Sequence, residues 1–319
     1  MAITKKQHVI EFVAKYSIYF ITLLFMIICT IINPRFLSVA NLTNVLRQIC
    51  VYAMIAFGQS VLLISGNLDL SAGSTCCISG IIGVFAYVAS GNLLVASLAA
   101  MLCGVVIGTV SGCIISLFSL PPFVATLGMQ MAVRGMCYVI TGGATITRTG
   151  ENFRYIGQGF IGPFPVSIII MLGFAVVLWL ILDRTTLGRR LYALGGNREA
   201  ARACGIDLRK HTVIAYMLSG VFIGMAGIIY ASRINAGAPT GCQGYEGQGI
   251  SAAVIGGIGF AGGTGSAWGA IIGAVVLGII NNILNLMGVD SYIQDIVNGM
   301  VIIIAVALDT YTRRLRVAR

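Results

Sequence analysis

The stretch 94–119, LVASLAAMLCGVVIGTVSGCIISLFS, runs for twenty-six residues without a charged side chain. A helix needs about 20 predominantly apolar residues to cross a bilayer, so this stretch is expected to span one. Comparable runs occupy 16–32, 166–182 and 267–287. Composition points the same way. With 58% of 319 residues apolar and 9% charged, the chain lacks the polar surface that a water-soluble domain of this length must present. Hydrocarbon offers no partner to backbone N–H and C=O groups, so unbroken apolar runs fit helices, whereas a barrel would show alternating segments of about ten residues.

Glycine interrupts several runs, and ten spans are expected near 16–32, 49–65, 70–89, 94–119, 122–141, 166–183, 212–232, 249–262, 267–287 and 293–309. The fold class is therefore an all-α integral membrane protein, with residues 1–319 forming one transmembrane domain and 184–211 a cytoplasmic segment within it. Lys5, Lys6 and Lys15 precede the first run as in a secretory signal. That run, however, continues into Asn33-Pro34-Arg35 with no small-residue cleavage site.

With the N-terminus inside, fourteen of the basic residues fall on the cytoplasmic side, including seven between Arg184 and Lys210 and Arg313, Arg314, Arg316 and Arg319. Five fall outside: Arg35, Arg47, Arg148, Arg154 and Arg233. Positive residues collect on the cytoplasmic side of short loops, so both termini are expected there. The net charge of +10 thus has a membrane explanation, and membrane lipid rather than nucleic acid is the expected surroundings.

Seven cysteines, Cys29, Cys50, Cys76, Cys77, Cys103, Cys113 and Cys137, lie in or beside expected spans, where a thiol packs as a small apolar group. Only His8 and His211 could join them as imidazole ligands, neither stands at ligand spacing from a cysteine pair, and no C-x-x-C occurs; neither a structural metal nor a disulfide is expected. Gly257-Ile-Gly259-Phe-Ala-Gly262 matches the dinucleotide fingerprint letter for letter. The following helix is apolar throughout and no acidic residue stands near position 280 to hold a ribose, which excludes that reading. A Walker-type loop fails as well, because Gly263 precedes Thr264 where lysine is required. If ATP drives this protein, the ATPase is another polypeptide.

A short internal echo links the halves. Ile64-Ser65-Gly66 to Gly73-Ser74, followed by Gly80-Ile81-Ile82-Gly83, recurs as Gly256-Gly257 to Gly265-Ser266, followed by Ala270-Ile271-Ile272-Gly273. Paired glycine-broken segments are a mark of transporters built from repeats, although chance similarity among Gly, Ile and Ala gives matches of this length too. Asp69, within Ser65-Gly66-Asn67-Leu68-Asp69-Leu70-Ser71, sits between apolar segments. A carboxylate at the bilayer centre costs about 2.5–3.5 kcal/mol, so it needs a partner, water or the interface. Two compatible roles remain: a gate or cavity wall, or an N-cap for a helix opening at Leu70. Asn281, Asn282 and Asn285 share one span, with Asn281 and Asn285 a turn apart on one face, as interhelical glue or as neutral partners for sugar hydroxyls. Asn67, Asp69, Ser71, Gln59 and these three amides are the candidate pathway or gate residues; Gln294 and Asn298 join on weaker grounds. Arg134, the one basic residue inside a span, needs a partner that the sequence does not identify.

In the cytoplasmic segment, Ala193-Leu194-Gly195-Gly196-Asn197-Arg198-Glu199-Ala200-Ala201-Arg202-Ala203-Cys204-Gly205-Ile206 reads as a short helix capped by Asn197 and closed by Gly205. With Arg198 and Arg202 it could lie on anionic lipid. Tyr192 to Ile206 also resembles the coupling segment of the ribose-type ABC transporter permeases. Gly66-Asn67-Leu68-Asp69-Leu70-Ser71-Ala72-Gly73-Ser74 is similar to the Gly-Gly-Ile-Asp-Leu-Ser-Val-Gly-Ser signature of that family, and 281–288 to its Asn-Asn-x-x-Asn-Leu-x-Gly. The departures are Asn67 in the first motif and Gly247-Gln248 where the family has Leu-Asp.

The resemblance implies a non-catalytic permease subunit, without a bound cofactor, of an importer of a monosaccharide or related solute in the bacterial inner membrane. It implies three partners: a second permease subunit, identical or homologous; an extracytoplasmic solute-binding protein; and a two-lobed ATPase that consumes ATP. On that basis Gly195, Gly196, Asn197, Glu199, Ala200, Ala201, Arg202, Gly205 and Ile206 are expected to contact the ATPase. The rival expectation is an ion-coupled secondary carrier, with Asp69 binding the coupling ion. A membrane enzyme ranks third, since no nucleophile, base and orienter are grouped on one side.

Overall fold

The computed structural model describes residues 23–24, 26–147 and 149–317. Residues 16–22 and 25 of the span expected at 16–32 lie outside these residues, as do Lys5, Lys6, His8, Lys15, Arg148 and Arg319. The helices are α1 (Val39–Ile64), α2 (Ala72–Ser90), α3 (Leu93–Phe118), α4 (Pro122–Thr141), α5 (Tyr155–Gln158), α6 (Val166–Trp179), α7 (Thr186–Gly196), α8 (Arg198–Ala203), α9 (Leu208–Ile234), α10 (Tyr245–Ile255), α11 (Ala267–Leu286) and α12 (Ser291–Val317).

Their limits follow from local chemistry. Ser38, Asn92, Thr185, Asp207 and Ser266 cap α1, α3, α7, α9 and α11 by accepting N–H bonds from the first turn. Pro122 opens α4, where its missing N–H would be unsatisfied anyway. Gly91 and Gly142, with φ of 65° and 62°, end α2 and α4 in the left-handed conformation. The loop between α4 and α6 carries a two-residue hairpin, Phe160–Ile161 against Phe164–Pro165, that the helical reading of the sequence does not anticipate. Its turn, Gly162-Pro163, is the local signal for it.

Among the described residues, seven helices are long and apolar enough to cross a membrane: α1, α2, α3, α4, α6 with its extension to Arg184, α9 and α11. The ten expected spans differ from these in instructive ways. The segment expected at 249–262 is an eleven-residue helix, α10, that starts at Tyr245 and stops at Gly256. The break falls where Gly257 adopts a φ of 87° that a side-chain-bearing residue rarely takes. The segment at 293–309 belongs to the longer α12, whose apolar part is Ser291–Ala307. Helix α1 begins ten residues before its expected start, because Ser38 caps the run 39–48 and Asn41 ties it to Asn282 of α11.

Helix α9 lies at the centre, packed on α3, α2 and α1. The α3–α9 contact is set by glycine. A Cβ on Gly104 would meet the Gly220 carbonyl, one on Gly108 the Tyr216 carbonyl, and one on Gly112 would lie 2.9 Å from Val213 Cα. Gly104, Gly108 and Gly112 recur at every fourth residue and face Gly220 and Gly224, the small-xxx-small pattern by which membrane helices approach at backbone distance. The opposite face of α3 carries Leu94, Leu98, Leu102, Val106 and Val110, all exposed, with Leu102 at 63%. Such an apolar surface is compatible with lipid and not with water.

One end of the bundle, here termed the basic end, carries α7 and α8 with Arg184, Arg189, Arg190, Arg198, Arg202, Arg209 and Lys210. At the opposite end, Arg47 donates to the Gln158 carbonyl and sits 4.7 Å from the Phe160 ring centroid, while Gln158 donates to the Arg233 carbonyl. Arg47 and Arg233 thus meet around Gln158, away from α7 and α8.

Candidate functional site

Two loops that turn at glycine, 65–71 and 256–266, interrupt the bundle near its basic end. The first, 65–71, joins α1 to α2. Ser65 ends α1, and Gly66, with φ 73°, reverses the chain. The loop then climbs back along α1. The Gln59 side chain donates from Nε2 to the Asp69 carbonyl at 2.5 Å and accepts the Asp69 N–H through Oε1 at 3.3 Å, holding both backbone groups of that residue. Tyr216 of α9 donates its hydroxyl to the Leu68 carbonyl at 2.7 Å. Gln59 is therefore a clamp on the loop.

Asp69 is buried at 4% exposure. Its Oδ1 accepts from the Ser71 N–H at 2.7 Å and from the Ser71 hydroxyl at 2.6 Å. The helix expected to open at Leu70 instead opens at Ala72, with Ser71 in the capping position; its hydroxyl accepts no N–H from the first turn and lies 3.5 Å from the Thr75 hydroxyl. Asp69 satisfies the N–H ahead of the helix, and the extra two residues form a turn because Gln59 and Tyr216 already hold Leu68 and Asp69 in place. Asn67, also buried, donates to the Ser65 carbonyl and hydroxyl, and its Oδ1 has no donor.

The three amides of α11 have different surroundings. Asn282 exchanges two bonds with Asn41 of α1, at 2.9 and 2.8 Å, a reciprocal amide pair that joins the helices. Asn281 donates to Gln248 of α10 at 3.4 Å and leaves its own buried Oδ1 without a donor. Asn285 is exposed and accepts from Gln294 at 3.0 Å. Sharing a helical face with Asn281 does not bring it into the same environment, because it lies a turn nearer the opposite end.

Arg134 meets carbonyls, not a carboxylate. It donates to the Pro239 and Gly241 oxygens at 2.9 and 2.7 Å, fixing the non-helical stretch ahead of α10. One turn away on α4, Gln130 donates to Glu246 Oε1 at 3.1 Å, and Glu246 Oε2 lies where a Cβ on Gly73 would be. The Gln130–Glu246–Arg134 group is the principal polar cluster that the sequence reading did not assemble. The i, i+4 spacing of Gln130 and Arg134 inside an apolar helix was the available signal.

In the basic segment, Asn197 Oδ1 accepts from the Glu199 and Ala200 N–H groups, both at 3.0 Å. Helix α8 closes with the Gly205 N–H bonded to the Arg202 carbonyl and the Ile206 N–H to the Ala201 carbonyl, with Gly205 at φ 78°. This is a Schellman end. Ala201 packs inward while Asn197, Arg198, Glu199, Ala200, Arg202, Ala203, Cys204 and Gly205 are exposed. Ahead of it, Tyr192 donates to the Gly265 carbonyl at 2.9 Å; burial, and secondarily the Asp183 carboxylate, raises its phenol above the usual tyrosine range and keeps it a donor.

Residues 41–306 match the family model described as the permease component of the branched-chain amino acid transport system. Among curated proteins, the chain is 38% identical over 285 residues to the ribose import permease protein RbsC of Bacillus subtilis (strain 168), covering 89% of this chain and 88% of that one. It is 39% identical over 286 residues to RbsC of Escherichia coli (strain K12), covering 88% and 89%. It is 34% identical over 331 residues to the galactose/methyl galactoside import permease protein MglC of Haemophilus influenzae, covering 97% and 98%. No solved structure matches the chain.

Proposed function

The chain belongs to the family of permease components of the branched-chain amino acid transport system, and from that premise we propose that it is the membrane-spanning subunit of an ATP-driven importer of a monosaccharide. The observation that carries the proposal is the near full-length similarity to permeases named for ribose, allose and galactose import, beside a family match over 41–306 that includes both glycine loops and the exposed helix α8. The family description names branched-chain amino acids; the individual relatives favour a sugar. Neutral buried amides support the same choice, since Asn67 and Asn281 each keep an acceptor without a donor and a sugar hydroxyl supplies one without charge.

On this reading the chain performs no covalent chemistry. A separate two-lobed ATPase docks on 195–206 at the basic end, which is cytoplasmic with both termini, and a solute-binding protein delivers cargo to the opposite end. A second permease subunit completes the pathway. Placement of the basic residues supports the orientation. The form of α8 supports the docking: it is short, capped at both ends and exposed on all sides but Ala201, so it presents a rigid surface and little core. Closure of the ATPase would then move packed helices as bodies.

Co-purification tests the docking. Tagged chain co-expressed with the ATPase is expected to retain it through detergent extraction, and Glu199→Lys is expected to release it while leaving the chain in the membrane. Full retention by Glu199→Lys, at equal expression, would overturn the assignment of this surface.

A further inference from the structure

Between α8 and the polar loops lies a contact made almost wholly of backbone. Gly195, at the end of α7, presses on the end of α1 so closely that a Cβ there would clash with the Ile64 carbonyl oxygen and lie 2.8 Å from the Gly263 nitrogen. From the other side, a Cβ on Gly262 would stand 2.7 Å from the Gly195 carbonyl, and one on Gly263 would stand 2.8 Å from Gly196 Cα. Gly262 and Gly263 also have φ of 94° and 74°. The Gly263 N–H donates to the Ile64 carbonyl at 2.9 Å, and Gly66 completes the ring, its Cβ position 3.4 Å from Gly195 Cα. Three chain segments distant in sequence thus meet with no side chain between them.

The consequence is mechanical. Gly195 and Gly196 immediately precede Asn197, the cap of α8. Ile64 and Gly66 begin the loop that carries Asn67 and Asp69, and Gly262 and Gly263 belong to the loop that joins α10 to α11. Close-packed backbone is stiff and does not deform gradually, so a displacement of α8 reaches both loops at once. Tyr192, bonded to the Gly265 carbonyl, braces the same loop from α7.

We infer that Gly262 and Gly263 are positioning residues for energy coupling: their side-chain-free contact with Gly195 and Gly196 transmits movement of the ATPase-facing helix to the two polar loops. The inference rests on the proposed docking of an ATPase on 195–206. It assigns a role to residues outside that surface and names the two loops as the joint recipients of the motion.

A matched pair of substitutions separates transmission from simple backbone strain. Gly263→Ala places a methyl group against Gly196. Gly257→Ala, in the same loop with φ 87° and no atom within 4 Å of its Cβ position, imposes a similar left-handed backbone cost without touching α7. The complete complex, with ATPase and solute-binding protein, is reconstituted in proteoliposomes, and solute taken up per ATP hydrolysed is measured, with complex assembly checked by co-purification. Gly263→Ala is expected to lower that ratio by about fivefold or more while Gly257→Ala stays within about twofold of the unmodified chain.

Tyr192→Phe, which removes one hydroxyl, is measured in parallel and is expected to lower the ratio by about threefold or more, outside the band of the Gly257→Ala control, through loss of one hydrogen bond. It decides the matter if Gly263→Ala does not assemble. An unchanged ratio in Gly263→Ala, equal loss in both glycine variants, or, where Gly263→Ala fails to assemble, an unchanged ratio in Tyr192→Phe would overturn the inference. Failure of the docking reading has a different signature: Glu199→Lys would then retain the ATPase in full on co-purification, whatever the ratio in the glycine variants.

Discussion

Replacing Gly205 by proline isolates the contribution of the exposed helix, because among the described residues nothing packs against that glycine. No atom lies within 4 Å of its Cβ position, so alanine there meets only the backbone cost of φ 78°, about 1 kcal/mol. Proline cannot reach that angle, since its ring holds φ near −65°. It also removes the N–H that Gly205 donates to the Arg202 carbonyl. It further disfavours the φ of −80° and ψ of 10° at Cys204. A penalty of about 3 kcal/mol or more is expected, which depletes the closed end of α8 roughly a hundredfold, against about fivefold for alanine. Helix α8 has six residues and buries only Ala201, so this loss is expected to fall on the proposed docking surface and not on the membrane core. At matched expression, uptake of labelled sugar by cells is expected to be abolished by Gly205→Pro and moderately reduced by Gly205→Ala. Membrane yield is expected to be unchanged in both. Wild-type uptake by Gly205→Pro would refute the reasoning.

Three further outcomes follow from the packing. Gln59→Leu strips both partners from the buried backbone of Asp69, at about 1–3 kcal/mol for each unsatisfied group, and the thermal transition of detergent-purified protein is expected to fall sharply; an unchanged transition would contradict the clamp. Gly108→Leu is expected to abolish the monodisperse gel-filtration peak by forcing α3 from α9, whereas Leu102→Ala on the exposed face of the same helix leaves it in place. A double-mutant cycle between Asn41→Ala and Asn282→Ala, read by thermal stability, is expected to return a coupling of about 1 kcal/mol for the reciprocal pair. A coupling near zero would count against it.

The spans were legible in the sequence because the bilayer sets a length, and apolar runs such as 94–119 and 122–141 meet it nearly residue for residue. The cap at Asn197 and the stop at Gly205 were legible because both are local rules of side-chain and backbone geometry. What was hidden depends on pairs distant in the chain. Nothing near Asn282 names Asn41 as its partner, and nothing near Arg134 names the Pro239 and Gly241 carbonyls. The shift of the α2 start from Leu70 to Ala72 has the same origin, since Gln59 and Tyr216 reach the loop from other helices. The echo between 64–74 and 256–266 placed two glycine loops in corresponding positions; their meeting at Gly195 is a tertiary fact. The spacing of Gly104, Gly108 and Gly112 was present in the sequence and would have identified the α3 face that receives α9.

The central claim is that this chain moves solute only as part of an ATP-driven assembly. Uptake of labelled ribose or galactose into proteoliposomes tests it most directly, with the chain alone and then with the ATPase, the solute-binding protein and ATP present together. The account predicts no concentrative uptake by the chain alone, concentrative uptake by the complete set, and no loss of that uptake when ionophores collapse ion gradients. Concentrative uptake by the chain alone, dissipated by an ionophore, would contradict it and identify an ion-coupled carrier.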